Sequence, residues 1–323
     1  GLFVKLRAEH RFGESISDDT GNFIPATVLP DLPVKDHEDL YLTNVLFTQA
    51  LSESFAVFAG KMDTFDGDAN AFAHKRGKDQ FSNLAFVGNP VFLRTIPYST
   101  LGAGFTILRE AEPIFTYSVL NSTDTARTSG FDELFEQGVA MAAELRLPTR
   151  FWGMPGHQLF GAAWNSQDFV SLGQDPRIIL PDVPIEEHSG SWGLYWNFDQ
   201  YLYVDPCDPK RGWGVFGRAG VAEDEVVPLL YFLSAGIGGN STIYGRETDT
   251  FGIGYYYAGF TEEIDPFFEL FLGPTGDGQG VELFYNIAVT PWFRLTPDLQ
   301  VLVPFREEVD TAVVVGLRGK LDF

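Results

Sequence analysis

Apolar and polar residues alternate with a period of two along most of the chain, the spacing at which successive strand side chains point to opposite faces. Near the C-terminus, Val313, Val315, Leu317, Leu321 and Phe323 share one face, against Ala312, Val314, Gly316, Arg318, Lys320 and Asp322. The segment before it sets Phe293, Leu295, Pro297, Leu299, Val301 and Val303 against Arg294, Thr296, Asp298, Gln300 and Leu302. Val281, Leu283, Tyr285, Ile287 and Val289 likewise oppose Glu282, Phe284, Asn286, Ala288 and Thr290. The same alternation runs through FGIGYYYAG, SWGLYWNFDQYLY and VAMAAELRL, the last placing Glu144 and Arg146 opposite Leu145 and Leu147. Even the first residues comply, with Leu2, Val4, Leu6 and Ala8 against Lys5, Arg7, Glu9 and Arg11.

This pattern predicts fourteen strands, at 2–12, 39–49, 54–63, 100–108, 113–121, 137–147, 157–168, 190–204, 211–222, 230–241, 249–260, 279–290, 293–303 and 311–323. The connections come in two sizes. QALSES, REAEP, TRFWGMPG, DPCDPKRG, YGRETD and TPW are short, whereas 14–38, 64–98, 121–135, 169–189 and 261–278 are long. Short turns on one side and long loops on the other are the layout of a transmembrane barrel, and an even count puts both ends on the periplasmic side. A half-buried soluble sheet shares the alternation. Here, however, one face is almost free of charge, while the other carries opposite charges that a water-filled lumen tolerates and a packed core does not. The expected fold is all-β, a transmembrane antiparallel up-and-down β-barrel forming one domain over residues 1–323. The terminal Phe323, in phase with Leu321, Leu317 and Val315, resembles the assembly signal that ends bacterial outer-membrane barrel proteins.

Composition narrows the partners. Aromatic residues make up 15% of the 323, enough for two interfacial girdles, and the 34 glycines suit bends in the strands. No run approaches the roughly 18 apolar residues of a membrane-spanning helix. A formal charge of −22 argues against nucleic acid and anionic lipid. The single cysteine, Cys207, reads as a turn thiol and allows neither an internal disulfide nor a cysteine metal cluster. The chain starts at Gly1 without an initiator Met or signal peptide, as a processed or truncated chain would.

The blocks GVELFYNIAVTPWFRLTPDLQVLVP, AVVVGLRGKLDF, TFGIGYYYAGFTEE and DPCDPKRGWG resemble the carbohydrate-selective porin (OprB-type) family. The likeness spans nearly the whole chain and is strongest over its last third. It implies a sixteen-stranded barrel that passes sugars across the outer membrane of a Gram-negative-type bacterium, with one loop folded into the pore. Members carry about two strands before the position of Gly1, so fourteen strands here plus two would complete the sixteen. A natively fourteen-stranded barrel, closed with a different shear, is the other reading.

A diffusion channel needs no nucleophile and no cofactor; its chemistry is its lining. Sugars present hydroxyls and weakly apolar ring faces, which suits mixed charges opposite aromatic surfaces. Candidate lining residues are Lys5, Arg7, Glu9 and Arg11 on the first strand, Glu144 and Arg146 on another, then Arg294 with Asp298, and Arg318 with Lys320. For any one of them, merely solvating the lumen wall is the favoured reading. The longest loop, 64–98, is the expected constriction. It mixes Phe72, Phe81 and Phe86 with His74, Lys75, Arg76, Lys78 and Arg94, and Arg94 is the first choice for the narrowest point. A surface loop with a small core of its own is the plainer reading. Were its basic cluster to dominate the pore, the channel would be a general or anion-selective porin instead.

Enzyme signatures are missing from the sequence. There is no H-x-x-x-H metal spacing and no G-x-S-x-G elbow. Glu262 and Glu263 are adjacent and would face apart, and Glu223, Asp224 and Glu225 read as a solvated acidic loop before a weak Ca²⁺ site. An outer-membrane barrel enzyme is therefore the least favoured class. The partners called for are mono- or oligosaccharides and outer-membrane lipid, for either a monomer or a homotrimer.

Overall fold

The computed structural model describes residues 1–35, 37–175, 177, 182–261 and 273–323. Glu262 and Glu263 lie outside the described residues. Fourteen strands follow one another: β1 Leu2–Glu9, β2 Tyr41–Ala50, β3 Phe55–Asp63, β4 Ser99–Arg109, β5 Glu112–Asn121, β6 Val139–Phe151 and β7 Met154–Val170, then β8 Glu187–Asp205, β9 Asp208–Ala222, β10 Leu229–Asn240, β11 Thr250–Phe260, β12 Gly278–Thr290, β13 Phe293–Val303 and β14 Ala312–Leu321. They form one sheet in the order β1 to β14, each strand paired antiparallel with its chain neighbours. Among the described residues no ladder joins β1 to β14.

Every strand predicted from the alternation is present, and the short and long connections fall as the turn signals say. Two-residue hairpins join β4 to β5 through Glu110 (φ 53°) and Ala111 (φ 67°), and β6 to β7 through Trp152 (φ 50°) and Gly153 (φ 77°). Both have two consecutive left-handed residues, the backbone that matches the twist of the flanking strands. Several boundaries shift by up to four residues, and one shift moves a candidate residue. β1 stops at Glu9 rather than residue 12, which leaves Arg11 in the β1–β2 loop, buried and donating to the carbonyls of Val34 (3.3 Å) and Gly13 (2.7 Å).

The outward face is an uncharged apolar band: Val315 and Leu317 are 79% and 70% exposed, and Trp164 faces Trp192 across β7 and β8. Such a face suits hydrocarbon rather than water. The inner face departs from a simple water-filled lumen. Over β9–β13 it is filled by a packed apolar core in which Phe216, Phe232, Tyr256, Phe284 and Leu302 of the wall meet Phe72, Phe81, Phe86, Val87 and Val91 of the loop 64–98. Ile24, Ala26 and Val28 of the β1–β2 loop complete it. The ring of Phe81 is 4.9 Å from Phe284 and 5.3 Å from Phe216, both edge-to-face, so the loop's aromatics belong to a core shared with the barrel wall.

Candidate pore and its lining

Two long loops turn into the barrel, not one. The loop 64–98 packs across β9–β13, and residues 24–28 of the β1–β2 loop lie against it through Val28 N–H to Ser82 O (2.9 Å) and Leu84 N–H to Pro25 O (3.0 Å). A buried apolar stretch, ATVL at 26–29, was the available signal for this second insertion, which the alternation pattern alone left as a loop.

With β9–β13 covered, the open space lies against β2–β8, as a cavity of about 940 Å³. Its wall carries Asp63, Asp66, Asp68, Asp124, Glu144, Arg94 and Arg146, interleaved with Phe58, Phe65, Phe92, Tyr98, Phe169 and Tyr195. Most of its carboxylates are engaged. Arg7 and Arg76 both pair with Asp63, Lys5 and Arg7 with Asp66, and Arg218 with Asp68 (2.7 Å). Tyr98 ties the first group together: its hydroxyl donates to Glu9 Oε2 (2.7 Å) and accepts from Arg76 Nη2 (2.5 Å). Burial, with Asp63 next, pushes the Tyr98 hydroxyl well up, so it remains a donor. Burial works to raise Asp66, but hydrogen bonds from Lys5 and Arg7 outweigh it and hold the carboxyl below its usual range.

The residues singled out from the sequence separate into groups. Arg94, Glu144 and Arg146 line the cavity. Arg94 donates to Val226 O (2.6 Å) and lies 5.8 Å from the Phe169 ring, and among the described residues no carboxylate pairs with it. Glu144 accepts from Tyr195 Oη (2.6 Å) and Asp68 N–H (2.9 Å), so it also steadies the loop, while Arg146 faces Glu112 at 3.6 Å. Lys5, Arg7 and Glu9 stand one layer behind, each bound to a residue of the 63–76 stretch. The remaining five are placed away from the cavity, Lys320 pairing with Asp79 at 2.7 Å. Arg11 braces the β1–β2 loop, and Arg318 donates to the carbonyls of Gly77 and Gln80. Asp298 is buried under the 64–98 loop beside Ser82, and Arg294 bonds Asn286 Oδ1 (3.0 Å) and Thr248 O (3.2 Å) rather than Asp298. Glu223 and Glu225 both meet His188, at 3.3 and 2.6 Å.

Two loop anchors escape the sequence reading altogether. Arg218 of β9 is buried and donates to Asp68, to Phe86 O (2.9 Å) and to Ala73 O (2.6 Å). Glu282 of β12 is fully buried and accepts the Ser82 and Asn83 N–H groups. The signal each offered was a lone charge flanked on its strand face by a glycine and an aromatic residue, Gly220 and Phe216 for Arg218, Gly280 and Phe284 for Glu282.

The sequence matches the carbohydrate-selective porin, OprB family, over residues 1–323. The chain belongs to this family. The porin resembles the high-pH structure of Pseudomonas putida OprB with a TM-score of 0.82 at 20% identity, covering 100% of this chain and 83% of that one. The low-pH structure of the same protein follows with a TM-score of 0.53 at 15% identity, covering 89% and 69%. At such identities the likeness establishes the fold, and the family match supplies the function: an outer-membrane porin for sugars. No curated protein sequence matches it significantly. The porin's family and fold are those of a channel.

Proposed function

We propose that neutral mono- and oligosaccharides diffuse through the cavity against β2–β8, with residues 64–98 as the constriction and Arg94, Glu144 and Arg146 as its polar lining. One observation carries this reading over an anion channel. Of His74, Lys75, Arg76, Lys78 and Arg94, only Arg94 lines the cavity, and Arg76 is spent on Asp63 and Glu9. The wall is left mixed in sign and rich in rings, which fits the hydroxyls and ring faces of a sugar and favours neither ion. Lys5, Arg7 and Glu9 hold the wall from behind, and Arg11, Arg294, Asp298 and Arg318 hold loops. The channel performs no chemistry on its cargo. It sits in the outer membrane of a Gram-negative-type bacterium with its apolar band on lipid. Liposome swelling with a panel of neutral sugars and matched anionic solutes tests this: sugars are expected to enter faster than anions of equal size, and the reverse order overturns the reading.

A further inference from the structure

We propose that Glu282 and Gln300 are positioning residues that set the width of the sugar path by seating both inserted loops on a single node of the barrel wall. The proposal rests on the reading that residues 64–98 bound that path.

The two residues are cross-strand partners on the inner face of β12 and β13, and both are fully buried. Glu282 takes the Ser82 N–H on Oε1 (2.6 Å) and the Asn83 N–H on Oε2 (2.9 Å), with the Ser82 hydroxyl 3.1 Å away. Gln300 Oε1 accepts from Asn83 Nδ2 (3.0 Å), and its Nε2 lies 2.9 Å from Ala26 O in the β1–β2 loop and 3.0 Å from Ser82 Oγ. Backbone from both loops therefore ends on one pair of side chains.

The node also acts on the cavity wall. Asn83, held from two sides, caps the helical turn Leu84–Val87 by accepting the Ala85 N–H (2.9 Å). Leu84, Val87 and the next residue, Gly88, face the cavity. A shift of this cap moves that wall.

A carboxyl at 282 lets each of its two oxygens take a backbone N–H, whereas a glutamine would aim an NH₂ at one of the two donors. Buried donors left without acceptors are costly enough to raise the population of the unseated loop roughly tenfold.

The test measures liposome swelling for a monosaccharide and a trisaccharide with full-chain Glu282→Gln and Gln300→Leu, alongside Arg94→Ala on the path. Heat-modifiable gel mobility reports the folded fraction. A substitution that only destabilises the barrel lowers both rates together and leaves their ratio fixed. The expected result is a trisaccharide-to-monosaccharide ratio raised several-fold in both node variants, with Arg94→Ala also altering sugar entry. An unchanged ratio in both node variants, with Arg94→Ala still active on sugar entry, overturns the positioning role and leaves the path intact. If Arg94→Ala has no effect either, the path itself is wrong and the proposal falls with it.

Discussion

The Phe86 ring occupies the space above Gly254 where a side chain would stand: a Cβ on Gly254 would lie 2.5 Å from Phe86 Cε1. Gly252 is covered in the same way, its Cβ position 2.7 Å from Phe81 Cζ. These inner-face glycines are the floor on which the loop's aromatic rings rest. Gly254→Ala is therefore expected to cost about 1–3 kcal/mol by overpacking and to disturb the loop. Gly319, whose Cβ would meet its nearest neighbour at an ordinary 3.6 Å, is the control. Denaturant unfolding in detergent micelles checks the difference, and equal stability for the two alanine variants would refute it.

Arg218 is the second fixed point of the loop. Its guanidinium is buried and bonds Asp68, Phe86 O and Ala73 O. Arg218→Met leaves Asp68 without its cation and those carbonyls without donors, an expected loss of roughly 3–5 kcal/mol. Arg218→Lys should recover little of it, because an ammonium cannot reproduce the planar fork. Unfolding midpoints of the three proteins are the measurement.

Arg94 should control ion preference. It lines the cavity without a carboxylate partner among the described residues. Arg94→Glu is expected to shift the zero-current potential under a salt gradient toward cation selectivity, with Arg94→Ala between the two. The effect should weaken at high salt as charges are screened. An unshifted potential would place Arg94 off the conducting path.

His74 makes the seating of the loop sensitive to acid. Burial, then Arg218, lowers the imidazole below its usual range, and its neutral Nδ1–H is placed to donate to Val87 O (3.3 Å). Asp68 and Asp66 pull the other way but do not win. Because the folded pKa is depressed, the unfolded loop binds the proton first, so stability falls as pH drops through the ordinary imidazole range and below. Single-channel noise is expected to grow on acidification in the native protein and to stay flat in His74→Gln.

The fold was legible in the sequence because a barrel strand with lipid on one side writes its two faces in alternate residues. TAVVVGLRGKLDF and GVELFYNIAVT each carry that record, and both are strands. The site was less legible. Alternation says that Glu144 and Glu282 both point inward, but not that one lines an open cavity and the other lies sealed under a loop. That depends on where residues 22–32 and 64–98 settle, which is governed by long-range contacts such as Phe86 with Gly254 and Arg218 with Asp68. The basic residues of the loop could not be sorted from the sequence for the same reason: the partners of Arg76 lie 67 and 13 residues away, at Glu9 and Asp63. The glycines read as bends are, at 252 and 254, spaces for rings.

The most direct test of sugar passage along the β2–β8 side is single-channel conductance in planar bilayers with glucose or maltose added to one side. Reversible, concentration-dependent reduction of a steady conductance, lost or weakened in Arg94→Ala, is the predicted result. A conductance indifferent to both sugars and strongly selective for anions would contradict it.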